Sequence, residues 1–299
     1  MAWLQLSIEA GELDPESLST FFESLGALSV TFEDAADQPL YEPEPGTTPL
    51  WSATRVVALF GADAHVGALG ERLAERFGEG ARGRLRAATL ADQDWERAWL
   101  REFQPMRFGG RLWICPAGMR PARAEQPVIV DLDPGLAFGT GTHATTRLCL
   151  EWLDAHPPLD RVVLDYGCGS GVLGIAALKL GARSVVAVDI DPQALIATRD
   201  NALRNDVDSR LSTVAPGDLS DDLRVDVLLA NILANPLVTL AAGLTRRVKP
   251  GGRIVLSGIL TAQVGTVVAA YRTGFDLDAP LELDGWLCIS GHRHARSTD

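Results

Sequence analysis

The eight residues Leu164 to Gly171, LDYGCGSG, constrain this chain more than any other stretch. They follow Val162-Val163 and set three glycines within five residues at the end of an apolar run. A run this short and apolar suits a strand buried on both faces. Glycines crowded at its end let the backbone turn sharply and let a ligand come close to it. The pattern continues with a helix over Gly171 to Leu180, a strand over Val185 to Asp189, and an Asp191-Pro192 cap opening a helix to about Asn205. A strand over Asp226 to Ala230, a helix after Pro236, a turn at Lys249-Pro250-Gly251-Gly252, a strand over Arg253 to Ser257 and strand-like residues from Gly285 to Gly291 complete it. Strands alternating with helices predict an α/β fold with a doubly wound, mostly parallel sheet, whose ligand lies at the carboxyl ends of the strands.

The first ninety residues read differently. Trp3 to Ala10 alternates apolar and polar, Asp14-Pro15 opens a helix to about Leu28, and Val30 to Glu33 is a second strand. Four prolines between Ala36 and Pro49 mark an extended loop. Arg55 to Phe60 is a strand, His65 to Phe77 a helix and Arg84 to Leu90 a strand. The order βαββαβ predicts a small ferredoxin-like module. Asp92 to Phe103 reads as a helical segment with Trp95 and Trp99 on one face, suited to packing between domains. The domain expectation is therefore 1–90, a linker region 91–126 that holds a strand over Arg111 to Cys115, and a second domain 127–299.

What the glycine loop holds follows from its neighbours. Asp165 stands just before it, where it would repel a phosphate and attract an ammonium group. A dinucleotide loop has the spacing GxGxxG and sets phosphate over a helix N-terminus; this one reads GxGxG. S-adenosylmethionine carries an ammonium and a sulfonium and no phosphate. Asp189, at the end of the next strand, can accept from both hydroxyls of a ribose, which fits either cofactor. Asn231 ends a buried strand, where its amide can face the site or cap the following helix.

Net charge decides among partners. The chain carries −12, and no Lys or Arg occurs between Met1 and Thr54, where acids run from Glu9 to Glu44. Bulk binding to nucleic acid needs a basic surface, so direct nucleic-acid contact is not expected, nor is contact with an anionic membrane. A basic protein partner fits, with the acidic stretch either a solvated face or a landing surface. Cys115, Cys149, Cys168 and Cys288 match no zinc or redox spacing and suit a reducing cytoplasm. His292 and His294 lack the further ligands a metal needs. Gly171 to Ile190, the most apolar region, is broken by Lys179 and Arg183 and is not a membrane span.

LDYGCGSG, VVAVDIDP and VKPGG together resemble the class I S-adenosylmethionine-dependent methyltransferases, over about Val128 to His292. DPGLAFGTGTHATT, Asp133 to Thr146, and ANILAN, Ala230 to Asn235, narrow the resemblance to the bacterial PrmA family, which methylates large-subunit ribosomal protein L11. Amide-methylating relatives carry Asn-Pro-Pro-Tyr at the last position, and this chain does not. The resemblance implies a seven-stranded Rossmann-like domain preceded by a ferredoxin-like domain that recognises L11. It implies methyl transfer from S-adenosylmethionine to lysine side chains and the N-terminal α-amine. An N-methyltransferase of another basic protein or of a small amine is the alternative.

The same resemblance places cofactor contacts at Thr146, Gly167, Asp189 and Asn231. Asp165 and Gly169 join them, and Phe138 with Gly139, Thr140 and His143 would form a loop over the cofactor. Asn231 is the catalytic candidate, its carbonyl oxygen orienting the amine. A lysine, with a reference pKa of about 10.4, must lose a proton first, and desolvation would help. His143 is a candidate base whose ordinary role would be structural. A monomer acting on L11 before ribosome assembly is expected.

Overall fold

A computed structural model describes residues 2–36, 38, 49–91, 104–116, 118–121, 126–132 and 143–295. The chain forms two compact units, Met1–Trp95 and Glu96–Asp299. The expected Trp-bearing helix, most of the proline-rich loop, and Phe138, Gly139 and Thr140 lie outside the described residues.

In the first unit, β1 (Ala2–Glu9), α1 (Pro15–Ser24), β2 (Ser29–Asp34), β3 (Thr54–Gly61), α2 (Val66–Phe77), α3 (Glu79–Arg84) and β4 (Arg86–Ala91) follow in order. The sheet order β2-β3-β1-β4 is antiparallel throughout, the arrangement of a ferredoxin-like module. Leu6, Ile8, Leu18, Phe22, Ala58 and Leu73 fill its core between sheet and helices. Asp14 caps α1 through the Ser17 amide at 2.9 Å. The helix ends at Ser24, earlier than Leu28, because Gly26 turns the chain at φ +89°.

The second unit opens with β5 (Met106–Phe108), β6 (Leu112–Pro116) and β7 (Val128–Leu132), a three-stranded sheet. Within the expected linker region 91–126, the expected strand over Arg111 to Cys115 is β6, and Phe108, Leu112 and Ile114 are buried in one core with Val130 and Leu132. Apolar strand residues seek a buried partner face, and β7 supplies the parallel neighbour.

Then come α4 (Ala144–Ala155), β8 (Val162–Tyr166), α5 (Val172–Lys179), β9 (Ser184–Val188), α6 (Pro192–Arg204), β10 (Leu211–Val214), β11 (Val225–Asn231), α7 (Ala234–Arg247), β12 (Val248–Leu260), α8 (Val264–Tyr271), β13 (Phe275–Leu277), β14 (Leu281–Leu283) and β15 (Trp286–Arg293). The sheet path is β10-β9-β8-β11-β12-β15-β13, seven strands, with a short eighth, β14, on β15. β15 runs antiparallel to β12 and β13. The other pairs on the path are parallel. Strand side chains alternate between two cores. Val163, Val227, Leu229 and Val255 face the side of α4 and α5. Leu164, Leu228, Ala230 and Leu256 face α7 and α8. The Lys249–Gly252 turn lies within β12 as an irregularity in its pairing with β11. No described helix is long and apolar enough to cross a membrane.

Candidate active site

The glycine loop joins the end of β8 to α5. Gly167, Gly169 and Gly171 have φ of +79°, +55° and +79°, conformations that L side chains rarely adopt. The Gly167 and Cys168 amides donate to the Val188 carbonyl at 2.7 and 3.0 Å, pinning the loop to the end of β9. A Cβ at Gly167 would run into Ile232 Cγ2, and one at Gly258 would run into the Ile232 carbonyl oxygen. Two glycines thus leave the space that lets Ile232, next to Asn231, pass between the ends of β8 and β12.

Asp165 is buried, and its Oδ2 accepts from the Gly174 amide at 2.9 Å. Gly174 is the third residue of α5, whose N-cap, Gly171, has no side chain to offer. Asp165 therefore caps the helix from the preceding strand. Its Oδ1 is buried and has no hydrogen-bond partner among the described residues. Burial pushes the carboxyl up to about 7; the Gly174 amide opposes the rise and the charge of Asp189 adds to it. A buried acceptor without a partner calls for a donor. An ammonium group meets that need and a phosphate does not, so these residues fit a cofactor such as S-adenosylmethionine better than a dinucleotide.

Asp189 follows β9, half-buried. Its Oδ2 accepts from the Gly169 amide at 2.9 Å and its Oδ1 from the Asp191 amide at 3.0 Å. Both bonds aim the carboxylate across the loop, and a carboxylate with two oxygens retains acceptor capacity for hydroxyls. Ile190 beside it is 85% exposed. So much bare apolar surface next to a polar anchor offers a face for a flat ring.

Asn231 ends β11, and its Nδ2 donates to Thr146 Oγ1 at 3.3 Å. It is not the cap of α7: that position belongs to Leu233, and the helix starts at Ala234, before Pro236. Proline is tolerated in a first turn, whose amides lack intrahelical partners anyway. The capping alternative for Asn231 is thereby removed. Thr146 is buried in the first turn of α4. His143 is the N-cap of α4: its Nδ1 lies 2.8 Å from Thr145 Oγ1 and accepts from the Thr145 amide at 3.4 Å. Its ring packs edge-on against Trp286 at 5.0 Å. One nitrogen is committed to capping, so this geometry favours the structural role.

A polar row on α6 supports the loop. Thr198 Oγ1 donates to the Gly169 carbonyl at 3.0 Å and Asn201 Nδ2 to the Ser170 carbonyl at 2.9 Å. Asn205 accepts from the Asp131 amide at 2.8 Å and donates to the Asp131 carbonyl at 2.7 Å. These residues escape sequence reasoning because polar positions on a helix read as solvent-facing. Ile232 escapes it too, although Gly258 inside an apolar strand is the signal of a close approach.

Against known proteins, the family described as ribosomal protein L11 methyltransferase (PrmA) matches residues 2–294. A ribosomal protein L11 methyltransferase of Methylococcus capsulatus is 53% identical over 292 residues, 97% of this chain and 99% of that protein. One of Pseudomonas aeruginosa is 54% identical over 299 residues, covering 99% of this chain and all of the other (100%). The crystal structure of a ribosomal protein L11 methylase from Lactobacillus delbrueckii subsp. bulgaricus is 31% identical, with a TM-score of 0.59. It covers 64% of this chain and 100% of the other.

Proposed function

The chain belongs to the ribosomal protein L11 methyltransferase family, and from that premise we propose that it transfers methyl groups to amino groups of ribosomal protein L11, lysine side chains and the N-terminal α-amine. What carries the reading is a match that runs through both units, so the sequence around the glycine loop and the N-terminal module enter it together.

S-adenosylmethionine, when bound, supplies a methyl group on a positively charged sulfur that a neutral amine can take in one in-line displacement. The chain's own residues hold and align. Asp165 meets an ammonium group through its unpartnered Oδ1, and Asp189 holds the ribose. Gly167 and Gly169 leave room for backbone contact, and Thr146 offers its hydroxyl to the polar end of the cofactor. With its Nδ2 tied to Thr146, Asn231 has its carbonyl oxygen left to accept an N–H of the incoming amine and turn the lone pair toward the methyl. Alignment of this kind lowers the barrier by removing rotational freedom before reaction.

The first unit is the docking module. Up to Trp95 the sequence holds 16 acids against 6 arginines, a net −10 of the chain's −12. Glu9 and Glu33 pair with Arg55 at 3.4 and 3.9 Å, so the open face of the sheet is mixed in charge. The excess lies in residues 1–54, which hold ten acids and no Lys or Arg, while residues 55–95 balance six acids with six arginines; Glu12, Glu16 and Glu23 of that stretch are exposed. That charge attracts a basic ribosomal protein and repels RNA, which favours action by a monomer on L11 before assembly. Four free, buried cysteines suit a reducing cytoplasm.

The test is mass spectrometry of purified L11 incubated with the enzyme and S-adenosylmethionine. A ladder of added methyl masses, absent with Asp189→Ala, supports the reading. Unmodified L11 alongside intact cofactor binding would send the search to a different amine.

A further inference from the structure

At the end of the large sheet opposite the glycine loop, the starts of β8, β11 and β12 and the end of β15 surround a cavity of about 460 Å³. Its charged lining is out of character with the chain. Arg161, Lys249, Arg253, His156 and His292 face it against a single carboxylate, Asp226, in a protein of net charge −12.

That carboxylate is already engaged. Asp226 Oδ1 lies 2.8 Å from Lys249 Nζ and 4.0 Å from an Arg161 nitrogen. Its Oδ2 accepts from the Val162 amide at 2.9 Å. Arg253 and His292 have no ion-pair partner among the described residues. They stand directly opposite each other in the β12–β15 pairing, so their side chains share one face. Facing one another, the guanidinium and the imidazole can both donate to one group placed between them. The Arg253 guanidinium is held over the Trp152 ring, 5.6 Å from its centroid. The Trp152 ring in turn stacks on His156 at 4.8 Å. Arg253 is therefore positioned by packing, and Lys249 and Arg161 by the Asp226 carboxylate.

We propose that this cavity is a second binding site, for a small phosphorylated anion no larger than a nucleoside monophosphate. Arginine presents parallel donors that match phosphate oxygens. Arg253 and Arg161 are the principal anchors, with His292 facing the same group. A volume of about 460 Å³ falls in the range of small-molecule pockets, roughly 300–1,000 Å³. It holds one phosphorylated molecule and has no room for a strand. The chain's negative field excludes long polyanions and leaves a screened, compact anion able to enter.

The experiment is calorimetric titration of pyrophosphate into the full chain saturated with S-adenosylmethionine, so that the probe cannot enter the cofactor site. Saturable binding at one site per chain is expected, weakened about tenfold or more by Arg253→Gln and by Arg161→Gln. Arg161 is 62% exposed on its side chain, so its variant keeps the fold even if Arg253→Gln does not, with circular dichroism as the check. No saturable binding, or equal binding by the folded variants, overturns the site. A single-stranded oligonucleotide that binds there more tightly than pyrophosphate overturns the assignment to a small ligand.

Discussion

Asn231, the last residue of β11, and Thr146, in the first turn of α4, are 85 positions apart and joined by a 3.3 Å hydrogen bond from the amide Nδ2 to the hydroxyl Oγ1. The bond fixes which end of the Asn231 amide is a free acceptor. In an amide the nitrogen only donates and the oxygen only accepts, so holding the nitrogen on Thr146 turns the oxygen elsewhere.

Asn231→Ala should lower kcat for L11 methylation by about 100-fold, near 3 kcal/mol of barrier at 1.36 kcal/mol per tenfold. Cofactor affinity should change far less. Thr146→Val should cost about tenfold by freeing the amide to rotate, and the double variant should be less than additive. Steady-state kinetics with L11 decides; normal turnover by Asn231→Ala would remove the orienting role.

Asp165 sets a pH dependence of stability. Its carboxyl lies at about 7 in the folded chain against 3.8 as the reference. Between those values the folded state holds a proton that the unfolded state has lost. Stability therefore falls as pH rises through this window and levels off above it, with a slope of about 1.4 kcal/mol per pH unit at most. Asp165→Asn keeps an acceptor for the Gly174 amide and should melt higher than the native chain at pH 8, with the slope gone. It should also bind S-adenosylhomocysteine more weakly. Thermal melts across pH 4 to 8 and one binding titration are the measurements; a native chain whose melting temperature does not fall across the window would contradict the buried acid.

Gly167→Ala places a methyl against Ile232 Cγ2 on a backbone at φ +79°. It should destabilise the fold by about 1–3 kcal/mol and weaken cofactor binding. Ile232→Ala in the same chain removes the clash and leaves the backbone strain, so part of the loss should return. Denaturant unfolding of the two single variants and the double variant measures the coupling, and strict additivity would mean that the two residues do not meet.

Electrostatic docking predicts that kcat/KM for L11 falls as salt rises from 50 to 500 mM (a range of about tenfold in ionic strength), while KM for S-adenosylmethionine stays put. Reversing Glu12, Glu16 and Glu23 to lysine should flatten that dependence. If the reversed variant keeps the native salt profile, the acidic stretch of the first unit does not steer the substrate.

Much of this was legible in sequence because the physics is local. Val162 to Tyr166 is a short apolar run before glycines, and the alternation of β1 and the Asp14-Pro15 cap announce their elements. β10, β13 and β14 were not, since strands of three or four partly exposed residues carry no period. Of the two strands inside the expected linker, the one over Arg111 to Cys115 was legible and is β6, while the three-residue β5 was hidden by the turn residues around it. Asp165, Asp189 and Asn231 stood out by chemistry at strand ends. Thr198, Asn201 and Asn205 did not, because their burial depends on a loop and a strand far away in sequence.

That row on α6 bears on how firmly the site is held. Asn205 grips Asp131 across 74 residues, and Asn201 grips Ser170 across 31. The end of β7 and the glycine loop thus share one support, and the loop is only as rigid as the helix behind it. Loosening α6 between Thr198 and Asn205 unfastens both at once, so the cofactor end of the sheet and the neighbouring small sheet are mechanically one piece.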